Sequence, residues 1–392
     1  MSKLFHKLFP SIKFCNTSTE EIEKIINSLK IKESSGYDEI STQILKPSAP
    51  FTSCPLNYIC NKSILSGTFL TRLKYAVVKP LLKNGDRKNV ANYRPVSLLT
   101  SFSKVFEKII YDRLLKHIET INILVDEQFG FRIFSSSDKA SYKLIDEILN
   151  ALNNRMAVGG IFCDSQKASD CVNHNILLMK LEFCGITGIT YKLIKPYLGG
   201  RYQKVVLNNH SSSLCSNWSE ITHGVPQGSI LDPLLFLLYI NDLPQITNDN
   251  SKIVSFADDT SIIITNPNPT NFGNSVNKIF QHINEWFSKS SSLNLDNTHY
   301  VQFVTKNSSL IDFNFMHGNK KIANICNTKF LGLTLDNTLS WKTHIETIIP
   351  KLSSASFAMR AVKPFLSQDS LRMVYYTYFH SIMTYGIPTF IP

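Results

Sequence analysis

The chain has 392 residues, with 41 Lys and Arg against 30 Asp and Glu, a formal net charge of +11, and 43% hydrophobic and 11% aromatic residues. That apolar fraction excludes a disordered chain, and 16 Gly with 16 Pro exclude fibrous and low-complexity classes, so the length reads as two to three domains or subdomains at about 150 residues each. The positive excess points to a polyanion partner, nucleic acid before membrane.

In chain order, Met1 to Pro10 carries Lys3, His6 and Lys7 inside its apolar run, so no signal-peptide core forms there. Ser18-Thr19-Glu20-Glu21 reads as a capping box, followed by Ile22, Ile25, Ile26 and Leu29 on one helical face. Phe102, Val105, Phe106, Ile109, Ile110 and Leu114 repeat that spacing, as do Leu144, Ile145, Ile148, Leu149 and Leu152. After Val158-Gly159-Gly160, Ile161-Phe162-Cys163 reads as a short buried strand ending at Asp164, with Val172 to Leu181 helical behind it. Tyr202 to Leu207 reads as a strand, and Ser229 to Tyr239 as a buried helix with Pro233 in its first turn.

Lys252 to Phe256 and Ser261 to Thr265 are β-rich runs flanking Ala257-Asp258-Asp259-Thr260, which predicts a hairpin with two carboxylates at its tip. Phe272, Val276, Ile279, Phe280, Ile283 and Phe287 form a further helical stripe. Val301 to Thr305 and Phe330 to Leu335 read as strands, and Trp341 to Phe365 as mainly helical despite Pro350. The mixture is α+β. The longest apolar stretch, Pro233 to Ile240, is far short of the roughly 20 residues a membrane helix needs, so no membrane partner is expected. The eight cysteines (Cys15, Cys54, Cys60, Cys163, Cys171, Cys184, Cys215 and Cys326) form no CxxC pair and no zinc-knuckle spacing. They predict thiols in a reducing compartment, hence an intracellular protein of the cytoplasm or nucleus.

Three carboxylates stand out as candidates for chemistry. Asp164 falls at a strand end and Asp258-Asp259 at a hairpin tip, so separate elements can bring them together. Like charges in an apolar β context raise each other's pKa, whereas a divalent cation favours the ionised forms. Oxygen-only ligands suit Mg²⁺, and two ions about 3.5–4 Å apart can activate an attacking 3′-hydroxyl and stabilise a leaving pyrophosphate. The Asp pair by itself also fits a solvated turn, where Asp is favoured.

The surrounding words are more specific. Phe162-x-Asp164-x-x-Lys167-Ala168-x-Asp170-x-Val172-x-His174, Gly224-Val225-Pro226-Gln227-Gly228-Ser229 and Phe256-Ala257-Asp258-Asp259-Thr260 occur in the order used by reverse transcriptases of non-LTR (LINE-type) retrotransposons. The sequence resembles that family, on the jockey-like side, from about Ile22 to the end. Further matches are Lys83-Asn84-Gly85-Asp86, Asn92-Tyr93-Arg94-Pro95-Val96-Ser97-Leu98-Leu99, Gln128-Phe129-Gly130-Phe131-Arg132, Tyr239-Ile240-Asn241-Asp242-Leu243-Pro244 and Phe330-Leu331-Gly332-Leu333.

The resemblance implies a right-hand polymerase with fingers, a palm of antiparallel sheet backed by helices, and a partial helical thumb. Its divisions would be 1–70, an N-terminal helical extension leading into the fingers; 71–155, fingers; 156–310, palm with a fingers-like insertion; and 311–392, a primer-supporting hairpin and a truncated thumb. The implied activity is RNA-directed DNA polymerase, a nucleotidyltransferase using two Mg²⁺ ions, with Mn²⁺ able to substitute. The implied partners are an RNA template, a DNA primer and deoxynucleoside triphosphates, with the endonuclease supplied from elsewhere. By position, Asp164, Asp258 and Asp259 would be catalytic and bind both metals. Lys83 and Arg94 would hold the incoming triphosphate, Arg as a fixed fork and Lys as a point charge. Gln227 would contact template and nucleotide.

Departures from the family pattern carry expectations of their own. Five positions after the first catalytic Asp the family has a bulky aromatic that blocks a ribose 2′-hydroxyl; Ser169 stands there, predicting weakened discrimination against ribonucleotides. Asp232 replaces a Gly in Gly228-Ser229-Ile230-Leu231-Asp232-Pro233, where it either disturbs packing or caps the following helix. His299-Tyr300 replaces a Lys-Thr pair, and His299 is the candidate general acid, with activity that falls off earlier as pH rises. Ile133-Phe134-Ser135-Ser136-Ser137 replaces a basic stretch, removing one phosphate or template contact. The runner-up reading is a decayed copy that only binds RNA or RNA–DNA hybrid; a two-metal nuclease ranks last.

Overall fold

The computed structural model describes residues 9–386 apart from 84, 165–167, 210–211, 249, 291–292, 307, 314 and 318–319. The first eight residues, Asn84 and Lys167 of the family-like words, and residues 387–392 therefore lie outside the described residues. In chain order the strands are β1 (Tyr75–Leu82), β2 (Tyr93–Leu98), β3 (Ala157–Asp164), β4 (Arg201–Asn209), β5 (Ser212–Cys215), β6 (Ser219–Ile221), β7 (Ser251–Phe256), β8 (Asp259–Asn266), β9 (His299–Phe303), β10 (Met316–His317), β11 (Lys320–Lys321), β12 (Asn327–Phe330) and β13 (Leu333–Asp336). Helices and largely antiparallel sheets make this the α+β class expected. Contacts divide the chain into two compact units: Met1–Val125 with Gln166–Leu243 and Lys289–Ser292, and Asp126–Ser165 with Pro244–Ser288 and Leu293–Pro392.

In the first unit, the Ser18 hydroxyl accepts from the Glu21 N–H at 3.2 Å and starts the helix Thr19–Ser28, which buries Ile22, Ile25 and Ile26. Thr100 caps the helix Ser101–Thr120 in the same way, and Val105, Phe106, Ile109, Ile110 and Leu114 face inward. Each such side chain, fully buried, contributes about 1.5–3 kcal/mol. The sheet of this unit runs β2-β1-β4-β5, with β6 also on β4, and β1 lies parallel to β4. The helix expected from Val172 starts at His174, because the Asn173 side chain caps the N–H groups of Asn175 and Ile176. The helix expected from Ser229 starts at Asp232, because the Ser229 hydroxyl accepts from the Asp232 N–H at 3.0 Å; Pro233 sits in its first turn.

The Tyr239-Ile240-Asn241-Asp242-Leu243-Pro244 word proves to be a fastening. Asn241 accepts from the Val125 N–H (3.0 Å) and donates to the Ile123 carbonyl (2.8 Å). Lys180 Nζ meets Asp242 Oδ1 at 2.6 Å with both side chains 2% exposed, and it also donates to the Tyr239 carbonyl.

In the second unit the four-stranded antiparallel sheet runs β7-β8-β3-β9. Here β3 is longer than the strand expected from Ile161, because Gly159 and Gly160 are inside it. A Cβ on Gly159 would stand 2.4 Å from the Tyr300 hydroxyl, and one on Gly160 would crowd the rings of Phe162 and Phe303. The glycines serve close packing of aromatics rather than a turn. The helix Ser137–Asn153 lays Ala140, Leu144, Ile145, Ile148 and Ala151 on this sheet, in one core with Val158, Phe162, Ile263 and Val301.

Phe330 to Leu335, a strand by its residues and a hairpin by the resemblance, is a hairpin: β12 and β13 pair with Phe330 opposite Leu333. Leu331 and Gly332 both have positive φ, 45° and 87°, which is the geometry of the tight turns that join antiparallel strands. Trp341 to Phe365 is helical as expected, Lys342–Val362 with Pro350 inside it and a 3₁₀ turn Lys363–Phe365. Among the described residues no helix is long and apolar enough to cross a membrane.

Candidate active site

In the second unit β3 ends on Asp164, directly opposite Asp259, the first residue of β8. Asp259 also closes the β7–β8 hairpin opposite Phe256, so the tip is Ala257-Asp258 alone, and Asp259 and Thr260 belong to the strand. The expected four-residue tip is thus shortened by strand pairing, and the shortening brings Asp259 into register with Asp164. Directly opposed residues on one antiparallel face have Cβ atoms about 4.5–5.5 Å apart, so two carboxylates face each other at the end of the sheet with Asp258 beside them. Asp258 and Asp259 are exposed and Asp164 is half-buried.

Two amides hold Asp164. Its Oδ2 accepts from Asn297 Nδ2 at 2.7 Å and Asn294 Nδ2 at 3.1 Å, and its backbone carbonyl accepts from the Asn294 N–H at 2.9 Å. Sequence reasoning passed over both asparagines; they lie more than 120 positions from Asp164, and nothing local marks them. Among the described residues no three Asp, Glu, His or Cys side chains converge as a ready-made cation cage. The donor set nonetheless suits a hard cation, because Mg²⁺ is commonly held by one or two carboxylates and completed by water and substrate phosphates.

His299 opens β9 opposite Phe162, two residues before Asp164 in β3, and its ring stacks on Phe162 at 5.9 Å. Both ring nitrogens are engaged, Nδ1 with the Asn297 carbonyl (3.0 Å) and Nε2 with the Thr328 hydroxyl (2.5 Å). Burial lowers its pKa below the usual histidine value, with the Asn297 carbonyl acting in the opposite direction.

The other predicted site residues lie in the first unit. Lys83 follows β1, its N–H donating to the Asn92 carbonyl at 2.8 Å, and Arg94 sits on β2 opposite Leu81; both side chains are exposed. Gln227 is half-buried, and its carbonyl accepts from the Ser97 N–H at 2.9 Å, tying its loop to β2. The same loop is tied to Ser169, whose carbonyl accepts from the Val225 N–H at 2.8 Å. Gly224, with φ +85°, has to be glycine: a Cβ would come within 2.8 Å of the Asp170 carbonyl.

Asp232 is buried beside this loop. Burial pushes its carboxyl up to about 7, against the opposing effect of the Ser169 hydroxyl and the Gly228 backbone. Beneath the loop, the fully buried Glu107 accepts from the Ile230 N–H (2.9 Å) and the Tyr197 hydroxyl (3.2 Å). Glu107 is a third residue sequence reading missed, hidden within the amphipathic stripe that predicted its helix. The structure thus gathers Asp164, Asp258, Asp259 and His299 in one unit, and Lys83, Arg94, Ser169 and Gln227 in the other.

The chain belongs to the reverse transcriptase (RNA-dependent DNA polymerase) family, whose profile matches residues 82–335, a span containing all eight of these residues. Within that family it is similar to the RNA-directed DNA polymerase from mobile element jockey of Drosophila funebris, 26% identical over 94% of this chain and 41% of that protein. It is also similar to the probable RNA-directed DNA polymerase from transposon X-element of Drosophila melanogaster, 27% identical over 85% of this chain and 36% of that one. The resemblance to non-LTR retrotransposon reverse transcriptases is borne out. The chain spans about two-fifths of the length of these relatives. A solved telomerase from Candida tropicalis superposes with a TM-score of 0.47 and 13% identity over 79% of this chain and 62% of that one.

Proposed function

We propose that the chain catalyses RNA-directed DNA synthesis, adding deoxynucleotides to a DNA primer 3′-hydroxyl on an RNA template. The observation that carries this reading is the in-register pair Asp164 and Asp259 with Asp258 adjoining, inside the span that matches the family. The cofactor is divalent, two Mg²⁺ ions with Mn²⁺ as a substitute, held by these three carboxylates; such ions activate the attacking hydroxyl and neutralise charge on the leaving pyrophosphate.

The chain's own residues position and orient. Asn294 and Asn297 hold one oxygen of Asp164 and leave the other for a cation. Lys83 and Arg94 bind the triphosphate, Gln227 meets template and nucleotide, and Ser169 lies at the sugar. His299 donates a proton to pyrophosphate in its protonated fraction, which shrinks as pH rises. Residues 71–155 serve as fingers, 156–310 as palm and 311–392 as primer-supporting hairpin and thumb, in an intracellular protein.

Primer extension on an RNA template with Mg²⁺ tests the reading, the wild type compared with Asp258→Ala/Asp259→Ala. Extension by the wild type alone supports it. A wild type that binds RNA–DNA hybrid with strong salt dependence and extends nothing is a binding protein instead.

A further inference from the structure

The backbone that carries Asp258 and Asp259 is in an unfavourable conformation. Ala257, the residue before the pair, has φ +55°, the left-handed region that a side-chain-bearing residue enters only when its surroundings hold it there. Ala257 is also buried, so its backbone N–H and carbonyl need partners.

One side chain supplies both. Gln128, 4% exposed, accepts through Oε1 from the Ala257 N–H at 3.0 Å and donates through Nε2 to the Ala257 carbonyl at 3.3 Å. The same Oε1 accepts from the Gly130 N–H at 2.8 Å, which fixes the amide's orientation. The segment around Gln128 is itself laid along β7: the Phe129 N–H donates to the Ser255 carbonyl and the Ser255 N–H to the Glu127 carbonyl, each at 2.8 Å. Gly130 completes the approach, since a Cβ there would stand 2.2 Å from the Ala257 nitrogen.

We infer that Gln128 is a positioning residue, whose amide locks the left-handed Ala257 backbone and thereby sets the direction in which the Asp258 and Asp259 carboxylates leave the hairpin. The inference rests on the reading of that pair as cation ligands. An amide suits the task because it accepts and donates at once. A glutamate of the same shape keeps the acceptor, loses the donor to the Ala257 carbonyl and places a negative charge beside Asp258. Alanine removes both bonds and leaves two buried backbone groups unsatisfied.

The test compares wild type, Gln128→Glu, Gln128→Ala and Asp258→Ala/Asp259→Ala by Mn²⁺ binding followed by electron paramagnetic resonance, hybrid binding, melting temperature, and kcat and KM for primer extension. Expected is a Mn²⁺ affinity about tenfold or more weaker in Gln128→Glu, as for other residues that orient metal ligands, with kcat reduced and hybrid affinity unchanged. Should Gln128→Ala fail to fold, Gln128→Glu decides. A Gln128→Glu protein that binds Mn²⁺ and turns over like the wild type overturns the inference and leaves the polymerase reading standing. So does one that merely melts earlier. A wild type that extends no primer, yet loses Mn²⁺ affinity on both Gln128→Glu and the Asp double substitution, sinks the polymerase reading and supports the positioning role. Absence of measurable Mn²⁺ binding in the wild type overturns both.

Discussion

The Ser169 hydroxyl acts on the buried Asp232 carboxyl against the effect of burial, and among the described residues no hydrogen-bond partner reaches Asp232 Oδ1. Two departures from the family pattern are therefore one local arrangement: where a bulky aromatic and a glycine would pack, a hydroxyl faces a carboxyl. Because burial raises the folded-state pKa of Asp232 to about 7, folding favours the protonated form. Its sign follows: the penalty is absent below the unfolded value near 3.8, grows as pH rises and levels off above about 7. Asp232→Asn should stabilise the chain by about 2–3 kcal/mol more at pH 8 than at pH 5, read from urea midpoints at the two pH values. An equal effect at both would place the carboxyl in water.

The same contact makes sugar selection a coupled property. Ser169→Phe should raise the ratio of deoxynucleotide to ribonucleotide efficiency by about tenfold or more, since bulk excludes a 2′-hydroxyl where a serine leaves room. By itself the substitution removes the hydroxyl that opposes the effect of burial on Asp232; with Asp232→Gly added, stability should recover beyond additivity, by about 0.5–3 kcal/mol. A wild-type ratio unchanged by Ser169→Phe would remove Ser169 from the sugar site.

Lys180 and Asp242 answer a different question, which is what the Tyr239–Pro244 word is for. With both groups buried at 2.6 Å, Asp242→Ala leaves an ammonium in the interior and should cost about 3–5 kcal/mol. Replacing both by hydrophobes of similar size, Lys180→Met with Asp242→Leu, should recover most of that loss. If denaturant melts show the single and the double variant equally unstable, the pair is not what holds this segment.

His299 predicts a pH profile. Burial lowers its pKa, so the protonated donor is lost at lower pH than an ordinary histidine would lose it. Extension kcat should fall on the acidic side of neutrality, and His299→Lys should carry activity to higher pH. Superimposable kcat profiles for the two proteins would leave His299 with the structural contacts to Phe162, Asn297 and Thr328 alone.

Much of this protein was legible from residue order because the relevant physics is local. A capping serine at Ser18, apolar spacing through Ile22, Ile25 and Ile26, and the stripes of the helices Ser101–Thr120 and Ser137–Asn153 need only the period of a helix to be read. The family and its carboxylates were legible for a related reason, since each motif is a contiguous word. What tertiary structure decided are relationships between distant words: Asp259 in register with Asp164, the Asn294 and Asn297 amides on Asp164, the Gln128 amide on Ala257, and Ser169 against Asp232. Gly159 of β3 likewise answers to a distant contact, the Tyr300 ring packed over the strand. Periodicity reports which face of an element is apolar; only the folded chain determines which polar group from a hundred residues away arrives to satisfy a buried backbone or carboxylate.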